Sequence, residues 1–282
     1  MRTVNLDITH KCTLQCDGCN RQVKDYIYEK REITLDEFEK VCDYFDKIIL
    51  CGQVSDPIFH ENFALLLKMA FDRDVTIEVH TAASHRKVEQ YKLFFEANPN
   101  AKWYFGIDGH PKDSSKYRIN QDGEYLFNIM RMAKEVYNID VVWQYIIFDY
   151  NEDHVYEAAM MARHLGINFL TIETQRGKQE TQEYDFQPKC IQGKKEIGHT
   201  TSGYLLPCCW SDFYKNEIPE LTQEHLKIDN VNSIEEIIHS KEWNDFKNRL
   251  KTNPPEYCKM YCGYKKNSES VEVDFIWILN LL

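Results

Sequence analysis

The chain has 282 residues and a formal net charge of −11 at pH 7, from 45 acidic and 34 basic side chains. This length suits one large domain or a barrel with a small appendage, and the acidic balance argues against an extended nucleic-acid-binding face. No apolar run is long enough to cross a bilayer, and the polar N-terminus shows no signal peptide, so we expect a cytoplasmic protein without a membrane partner. Ten cysteines without an export signal indicate reduced thiols and metal ligation rather than disulfides.

The first predicted element, a strand over residues 3–8, leads directly into three closely spaced cysteines. Cys12, Cys16 and Cys19 have the spacing C-x3-C-x2-C. Three such thiolates can each bind one iron of a cubane cluster, which leaves the fourth iron open to a small molecule. The alternative is a zinc site with His10 as the fourth ligand, because zinc prefers closed four-coordinate sites. The spacing and the position after a strand favour the cluster.

Strands and helices are predicted to alternate from residue 1 to about residue 175. The predicted strands are residues 3–8, 47–51, 76–81, 103–108, 141–148 and 169–173, and the predicted helices are residues 34–45, 62–73, 87–97, 125–137 and 152–165. Thr34 and Glu37 form a capping box at the first helix, while Asn151 and Gly166 are typical of the two ends of the fifth. Six βα units predict a parallel sheet with right-handed crossovers. Because six units cannot close an eight-stranded barrel, the pattern leaves a partial barrel and an open doubly wound sheet as alternatives.

Polar side chains recur on one face of several predicted strands. These positions are Glu78 and His80, then Tyr104, Gly106 and Asp108, then Thr171 and Glu173. The outer face of a barrel strand meets apolar helices, so the polar face is expected to line the interior. The pattern therefore predicts a wet, ligand-holding interior that opens at the carboxyl ends of the strands, with Glu78, His80 and Glu173 as candidate catalytic residues. The alternative is an edge strand with a solvated face.

Beyond Gln175 the alternation stops, and a second set of cysteines appears. Residues 176–185 are polar and lack periodicity, which predicts a linker. Cys190 and Cys208 belong to the pattern C-x12-G-x4-C, whose last six residues predict a hairpin arm, and Cys258-x3-Cys262 completes the set. Four thiolates can close either an iron–sulfur cluster or a structural zinc site, and the first cysteine motif favours the cluster.

The remaining features of this half are two short helices and three further cysteines. Ser233 and Glu236 predict a capping box at the start of the first helix, and a second helix follows it. Cys209 is predicted to be a buried thiol, although it can exchange roles with its neighbour in the sequence. Cys42 and Cys51 are predicted to act as small hydrophobic residues.

Both halves resemble the radical S-adenosylmethionine (SAM) superfamily with a SPASM/twitch extension. The first half carries the C-x3-C-x2-C loop after the first strand, and residues 107–118 resemble the family's S-I-D-G…Y-R segment. In the second half, residues 203–208 resemble the "G-Y-L-x-P-C" arm, and residues 233–246 resemble the helical pair before the last cysteines. The resemblance implies an α/β fold with a partial (β/α)6 TIM-like barrel over residues 1–175 and a small twitch-like extension over residues 176–282.

The resemblance also implies the cofactors, which are two [4Fe–4S] clusters and SAM. The open iron of the first cluster would be chelated by the amino and carboxylate groups of SAM, whose reductive cleavage releases a 5′-deoxyadenosyl radical. The extra cysteines of the full SPASM pattern are missing here, so one auxiliary cluster is expected. Its implied ligands are Cys190, Cys208, Cys258 and Cys262.

Contacts to SAM are implied at three places. The family's Gly-Gly-Glu-Pro turn after the second strand is replaced by residues 51–57, in which Gly52, Ser55 and Asp56 are the expected SAM contacts. The second Gly and the Glu of the family pattern are missing, and Asp56 is expected to replace the acid. Asp108 is expected near the SAM ribose or the substrate. Arg118 is expected to pair with the SAM carboxylate, because a guanidinium matches a carboxylate in bidentate fashion. The last contact, expected near adenine, is Gln144.

The sequence thus predicts an enzyme that takes a hydrogen atom from a small-molecule, nucleotide or peptide substrate. The fully ligated second cluster is expected to transfer electrons, and a flavodoxin-like or ferredoxin-like protein is the expected reductant. The alternatives are a non-catalytic iron–sulfur electron carrier and a zinc-stabilised binding module. An electron carrier needs neither the segment from Asp108 to Arg118 nor a polar interior.

Overall fold

A mostly parallel sheet forms the body of the computed structural model, which describes residues 1–22, 29–173, 184–186, 190 and 196–265. Its first six strands are β1 (Thr3–Leu6), β2 (Lys47–Leu50), β3 (Thr76–Thr81), β4 (Lys102–Gly106), β5 (Val141–Ile147) and β6 (Asn168–Glu173). Each strand pairs in parallel with the next one along the chain. The six predicted strands are therefore confirmed, and their order in space follows their order in sequence.

Four more strands belong to the second half of the chain. They are β7 (Tyr184–Phe186), β8 (Ile197–His199), β9 (Leu205–Leu206) and β10 (Gly263–Lys265). β8 pairs in parallel with β1, and β9 pairs antiparallel with β8, which confirms the predicted hairpin arm. The sheet order is β6-β5-β4-β3-β2-β1-β8-β9, whereas β7 and β10 form a separate antiparallel pair. In the described part of the chain β6 and β9 are unpaired edges, so the sheet is open and the partial barrel is confirmed.

The helices between the strands cover the outer face of this sheet. They are α1 (Leu35–Tyr44), α2 (Phe63–Asp72), α3 (Val88–Ala97), α4 (Gly123–Glu135) and α5 (Val155–His164), followed in the second half by α6 (Ile234–Ile238), α7 (Lys241–Thr252) and α8 (Glu256–Cys262). On β3, Ile77 and Val79 are at most 1% exposed, whereas Glu78 and His80 on the opposite face stay partly accessible. The alternation of apolar and polar residues along β3 therefore has the predicted explanation. Its apolar face packs under helices, and its polar face lines the interior.

The predicted helix ends are confirmed in part. Thr34 and Glu37 form the capping box at α1, and Gly166 has a φ of +65° just after α5. Asn151 instead holds the turn after β5, because its side chain accepts a hydrogen bond from Phe148 N and donates one to Ile146 O. Ser233 precedes α6 but makes no side-chain hydrogen bond to that helix, so the second predicted capping box is wrong. Glu236 N donates to Ser233 O (3.3 Å) instead, and the Glu236 carboxylate accepts a hydrogen bond from Asn232 N (3.4 Å).

The second half packs onto the barrel through α1. Lys40 Nζ on α1 donates to the carbonyl oxygens of Ile228 (3.1 Å) and Val231 (2.7 Å). Arg31, just before α1, forms an ion pair with the buried Glu37. The φ of Gly203 is +87°, and an added Cβ there would lie 2.9 Å from Arg31 Nη1, so this glycine allows the close approach.

The division of the chain at residue 175 stays a prediction, and β8 carries the barrel sheet across it. The larger part of the predicted linker and residues 266–282 lie outside the described residues. Within the described residues, no helix combines the length and the hydrophobicity that crossing a bilayer requires.

Candidate functional site

The loop after β1 carries the first three cysteines at the carboxyl end of the barrel strands. Cys16 O accepts a hydrogen bond from Cys19 N (3.1 Å), and Gly18 has a φ of +78°, so the backbone turns tightly between these two cysteines. Leu14 N lies 3.4 Å from Cys12 Sγ and can donate to it. Such N–H···S contacts favour a thiolate, which is the form that binds iron.

Two neighbouring turns hold this loop in place. Gln15 N donates to Ile119 O (3.0 Å), and Asp56 N donates to Lys11 O (3.0 Å). The Arg21 guanidinium donates to Val54 O (3.1 Å) and to the carbonyl oxygen of His10. The cysteine loop is therefore fixed to the turns that follow β2 and β4, which also carry the predicted SAM contacts.

A buried carboxylate organises the turn after β2. Asp7, at the carboxyl end of β1, is 2% exposed, and its Oδ2 accepts hydrogen bonds from Gln53 N (2.9 Å) and Val54 N (3.3 Å). Its other oxygen accepts a hydrogen bond from Ser55 Oγ. Burial raises the pKa of Asp7 to about 7, although these hydrogen bonds oppose the shift. Sequence reasoning missed Asp7, because its partners lie more than forty residues away.

Asp56 lies in the same turn, but its carboxylate faces the protein. It accepts hydrogen bonds from Ile58 N, Thr81 Oγ1, Ala82 N and Ala83 N, and it is 4% exposed. These four donors use the acceptor sites of a carboxylate. Asp56 therefore connects the turns after β2 and β3, and its contacts lend no support to the prediction that it replaces the family's acid.

Asp108 and Arg118 form a buried ion pair. Arg118 Nε lies 2.7 Å from Asp108 Oδ2, and the two side chains are 12% and 0% exposed. Asp108 Oδ1 accepts a hydrogen bond from Ile146 N (2.7 Å), which ties the pair to β5. Burial raises the pKa of the Asp108 carboxyl, whereas Arg118 acts in the opposite direction. Asp108 thus positions the guanidinium.

The guanidinium of Arg118 lies against Gly106 and near Cys16. A Cβ on Gly106 would be 2.7 Å from Arg118 Nη2, so only glycine leaves room for the side chain in this position. Burial raises the pKa of the Cys16 thiol, and Arg118 lowers it because the positive charge is close. Gln121 Nε2 donates to Gly106 O (2.9 Å) and to Ala82 O, which holds the ends of β3 and β4 together.

The polar face of the interior strands is an ordered network. The His80 and Tyr104 rings stack at a centroid distance of 4.1 Å, and His80 Nδ1 donates to Gln144 Oε1 (3.3 Å). Burial lowers the pKa of His80 to about 4, so its ring is neutral at pH 7. Glu78 pairs with Lys47 at 2.8 Å and lies farther from the carboxyl ends of the strands.

A cavity of about 130 Å³ at the carboxyl ends of the strands brings most predicted contacts together. It is lined by Cys51, Gly52, Ser55, Asp56, His80, Thr81, Ala82, Tyr104, Gly106, Arg118 and Gln144. Five of the six predicted SAM contacts are in this set, and Asp108 lies behind Arg118. Of the catalytic candidates, His80 lines the cavity and Glu78 does not. Glu173 ends β6, and its side chain lies outside what the structure describes.

Cys51 differs from its predicted role as a small hydrophobic residue, whereas Cys42 keeps that role. Cys42 is 6% exposed in the core, but Cys51 faces the cavity. Burial raises the pKa of the Cys51 thiol to about 12, and Cys209 raises it further because it is close. Cys209 therefore lies on the barrel side of its segment.

The second set of cysteines also comes together. Cys258 and Cys262 are four residues apart on α8, which places them on one helix face. Burial raises the pKa of the Cys258 thiol to about 12, and Cys190, Cys208 and Cys262 each raise it further by electrostatic interaction. The closeness of Cys208 to Cys258 favours Cys208 as the fourth member of the set.

The donor set of each cysteine group fits an iron–sulfur cluster. Each thiolate of a cubane binds a different iron, so the sulfurs lie farther apart than around one zinc ion with bonds of about 2.3 Å. Within the ranges that the structure describes, no three His, Cys, Asp or Glu side chains are close enough to share a single metal ion. His10 Nδ1 donates to Arg31 O (3.3 Å).

Fold and site together define an α/β protein with a partial barrel, a ligand cavity beside a three-cysteine loop, and a cysteine-rich extension. Residues 190–263 match the SPASM family, described as an iron–sulfur cluster-binding domain. This match confirms the predicted SPASM-type extension, and the predicted partial-barrel fold is shared with the solved structures described next. No curated protein sequence matches the chain significantly.

Solved structures share this fold at low sequence identity. SuiB of Streptococcus suis, bound to its precursor peptide SuiA, superposes with a TM-score of 0.66 at 10% identity, covering 94% of this chain and 75% of that one. SuiB bound to S-adenosylmethionine gives a TM-score of 0.60 at 10% identity, with coverages of 94% and 76%. BtrN in complex with AdoMet and 2-DOIA gives 0.53 at 11% identity, with coverages of 89% and 87%.

Proposed function

We propose that the protein is a radical SAM enzyme that cleaves SAM reductively and takes a hydrogen atom from a substrate bound at the barrel mouth. The observation that carries this proposal is the cavity in which Gly52, Ser55, Arg118 and Gln144 meet beside the three-cysteine loop. Gly52 and Ser55 lie in the turn after β2, Arg118 lies in the segment after β4, and Gln144 lies on β5. Ligands of barrel enzymes bind at this carboxyl end of the strands.

Cys12, Cys16 and Cys19 are the residues that would hold the first cluster. When bound together, the cluster and SAM supply a 5′-deoxyadenosyl radical by one-electron cleavage of a carbon–sulfur bond. Arg118 offers its guanidinium edge to the SAM carboxylate, and Asp108 holds that edge in place. The turn after β2, which Asp7 holds rigid, presents Ser55 and backbone carbonyl groups to the SAM amino group.

His80, Tyr104 and Gln144 form the inner wall of the cavity. The neutral imidazole of His80 and the amide of Gln144 can orient a polar ligand without placing a net charge in the site. Their mutual hydrogen bond and the stack on Tyr104 fix both side chains before binding, which lowers the entropic cost of ordering them. His80 is therefore our preferred candidate for substrate contact.

Cys190, Cys208, Cys258 and Cys262 would hold one auxiliary cluster. Four protein thiolates leave no iron free for substrate, so this cluster is assigned to electron transfer. The reductant is proposed to be a flavodoxin-like or ferredoxin-like protein. The peptide complex of SuiB supports a peptide substrate, and the 2-DOIA complex of BtrN supports a small molecule as the second candidate.

Cofactor cleavage tests the proposal without knowledge of the substrate. The chain is reconstituted with iron and sulfide without oxygen, then given dithionite and SAM, and 5′-deoxyadenosine is measured by liquid chromatography and mass spectrometry. We expect product from the wild type and from the control Cys42→Ala, which removes a core thiol, but none from Cys16→Ala. An iron-loaded wild type that forms no 5′-deoxyadenosine, or a Cys16→Ala variant as active as the wild type, would overturn the proposal.

A further inference from the structure

Two buried hydroxyl groups form a chain of contacts that ends on one of the four C-terminal cysteines. Ser211 Oγ lies 3.4 Å from Cys208 Sγ and 3.0 Å from the Tyr257 hydroxyl oxygen. Tyr257 lies on α8, directly before Cys258. Ser211 is fully buried, and Tyr257 is 1% exposed. The order of contacts is therefore Cys208, Ser211, Tyr257.

Metal ligation would decide how the protons are arranged in this chain of contacts. A thiolate bound to iron carries no proton, so Cys208 can only accept a hydrogen bond, and Ser211 is the donor in that contact. Ser211 has a single hydroxyl proton, so Tyr257 is the donor in the contact between the two hydroxyl groups. The ligand sulfur of Cys208 thus receives an O–H···S hydrogen bond that Tyr257 supports.

Burial increases the energetic effect of this hydrogen bond. Neither hydroxyl is open to solvent, so water does not take the place of a lost partner. The Tyr257 ring stacks on Tyr214 at a centroid distance of 5.0 Å and an interplanar angle of 5°, which limits the positions that its hydroxyl can adopt. A hydrogen bond in such surroundings is stronger electrostatically than one in water.

We propose that Ser211, supported by Tyr257, raises the reduction potential of the auxiliary cluster by donating a hydrogen bond to the ligand sulfur of Cys208. The inference rests on the proposed function, because it requires the four-cysteine cluster. One-electron reduction by the donor protein, or by dithionite in vitro, adds negative charge that spreads onto the sulfurs. The hydrogen bond stabilises that charge, and no bond is made or broken in the step. Both residues act through Cys208 and are positioning residues.

The test measures the midpoint potential of the auxiliary cluster alone. The background variant Cys12→Ala/Cys16→Ala/Cys19→Ala removes the first cluster, and the reconstituted protein is titrated redox-potentiometrically with electron paramagnetic resonance as the readout. We expect Ser211→Ala to shift the potential to more negative values, because it removes the donor to Cys208. Tyr257→Phe should give a smaller shift in the same direction, because Ser211 keeps its hydroxyl but loses its partner. The double variant should match Ser211→Ala.

Three variants serve as controls for the measured potential. Tyr204→Phe removes a phenol from the same half of the chain, whose ring lies near Lys227 Nζ (5.4 Å), and should leave the potential unchanged. Tyr257→Phe keeps the ring stack, so it remains a test even where Ser211→Ala fails to fold. Ser211→Thr retains a hydroxyl and should keep the wild-type potential.

Two further results would separate the two proposals. An iron-loaded double variant with the potential of its parent would overturn this inference and leave the proposed function standing. If the background variant took up no iron and sulfide, the four C-terminal cysteines would hold no auxiliary cluster. Both the proposed electron-transfer role and this inference would then be wrong.

Discussion

The buried pair of Asp108 and Arg118 gives a prediction whose size follows from the structure. Arg118 Nε and Asp108 Oδ2 are 2.7 Å apart, and the side chains are 12% and 0% exposed. Two unit charges at that distance attract by about 6 kcal/mol at an effective dielectric constant near 20. Removing one partner of a buried pair costs about 3–5 kcal/mol, because the other charge stays buried without compensation.

We therefore expect Asp108→Asn and Arg118→Gln each to lower the free energy of unfolding by about 3–5 kcal/mol. The double variant removes both charges and should lose clearly less than the sum, so the coupling energy of the double-mutant cycle should be at least about 2 kcal/mol. Urea denaturation of the metal-free chain at pH 7, with a thiol reductant and circular dichroism as the readout, gives all four free energies.

The exposed pair Lys68–Asp72 is the matched control. Its atoms are also 2.7 Å apart, but the side chains are 58% and 50% exposed. Solvent screening limits such a helix pair to about 0.3–0.5 kcal/mol. If the Asp108/Arg118 cycle gave a coupling as small as this control, the reasoning that burial makes the pair strong would be wrong.

Three other predictions concern the cavity, its pH dependence and the attachment of the second half. Gly106→Ala places a Cβ 2.7 Å from Arg118 Nη2 and should weaken SAM binding at least about tenfold in equilibrium dialysis, because the guanidinium must move. His80 protonates near pH 6.5 in the unfolded chain but only near pH 4 in the folded chain, because burial lowers its pKa. The free energy of unfolding should therefore decrease by about 3 kcal/mol as the pH is lowered from 6.5 to 4. His80→Gln should remove that part of the loss in denaturation curves at pH 7 and pH 4. Lys40→Met removes two hydrogen bonds to the carbonyl groups of Ile228 and Val231, and should speed amide exchange around them by about tenfold or more in hydrogen-exchange mass spectrometry.

Each of these predictions has a control and a contradicting result. Gly166→Ala changes a positive-φ glycine outside the cavity and should leave SAM affinity unchanged, so an equal loss there would contradict the steric argument. Equal pH sensitivity of His80→Gln and wild type would show that the buried imidazole is not the source. Lys68→Met removes an exposed lysine from α2, and if Lys40→Met exchanged no faster than this variant, α1 would not hold the second half as inferred.

The alternation of strands and helices was predictable because each element carries its own local pattern. β3 extends over the predicted residues without change, and the Thr34 capping box marks the start of α1. The β8 strand shows the limit of this approach. It has only three residues, and its parallel pairing with β1 joins positions nearly two hundred residues apart, which no local pattern encodes.

The cavity lining was predictable where a motif follows or lies on a strand, as for Arg118 after β4 and Gln144 on β5. The hydrogen bonds of Asp56 to Thr81–Ala83 were not predictable, because these residues become neighbours only when β2 and β3 pair, and its role toward SAM stays a prediction. Asp7 was missed because an acidic residue at a strand end has no signature until its donors fold over it. The contact between Ser211 and Tyr257 likewise depends on a separation of 46 residues.

The most direct test of the account is whether SAM binds to the open iron of the first cluster. The reconstituted and reduced chain is examined by electron paramagnetic resonance with and without SAM, beside a variant in which Cys190 and Cys258 are alanine. We predict a four-iron signal from the Cys12, Cys16 and Cys19 loop whose g values change when SAM is added, in both proteins. A chain that forms no such cluster, or a signal that SAM leaves unchanged, would contradict the account.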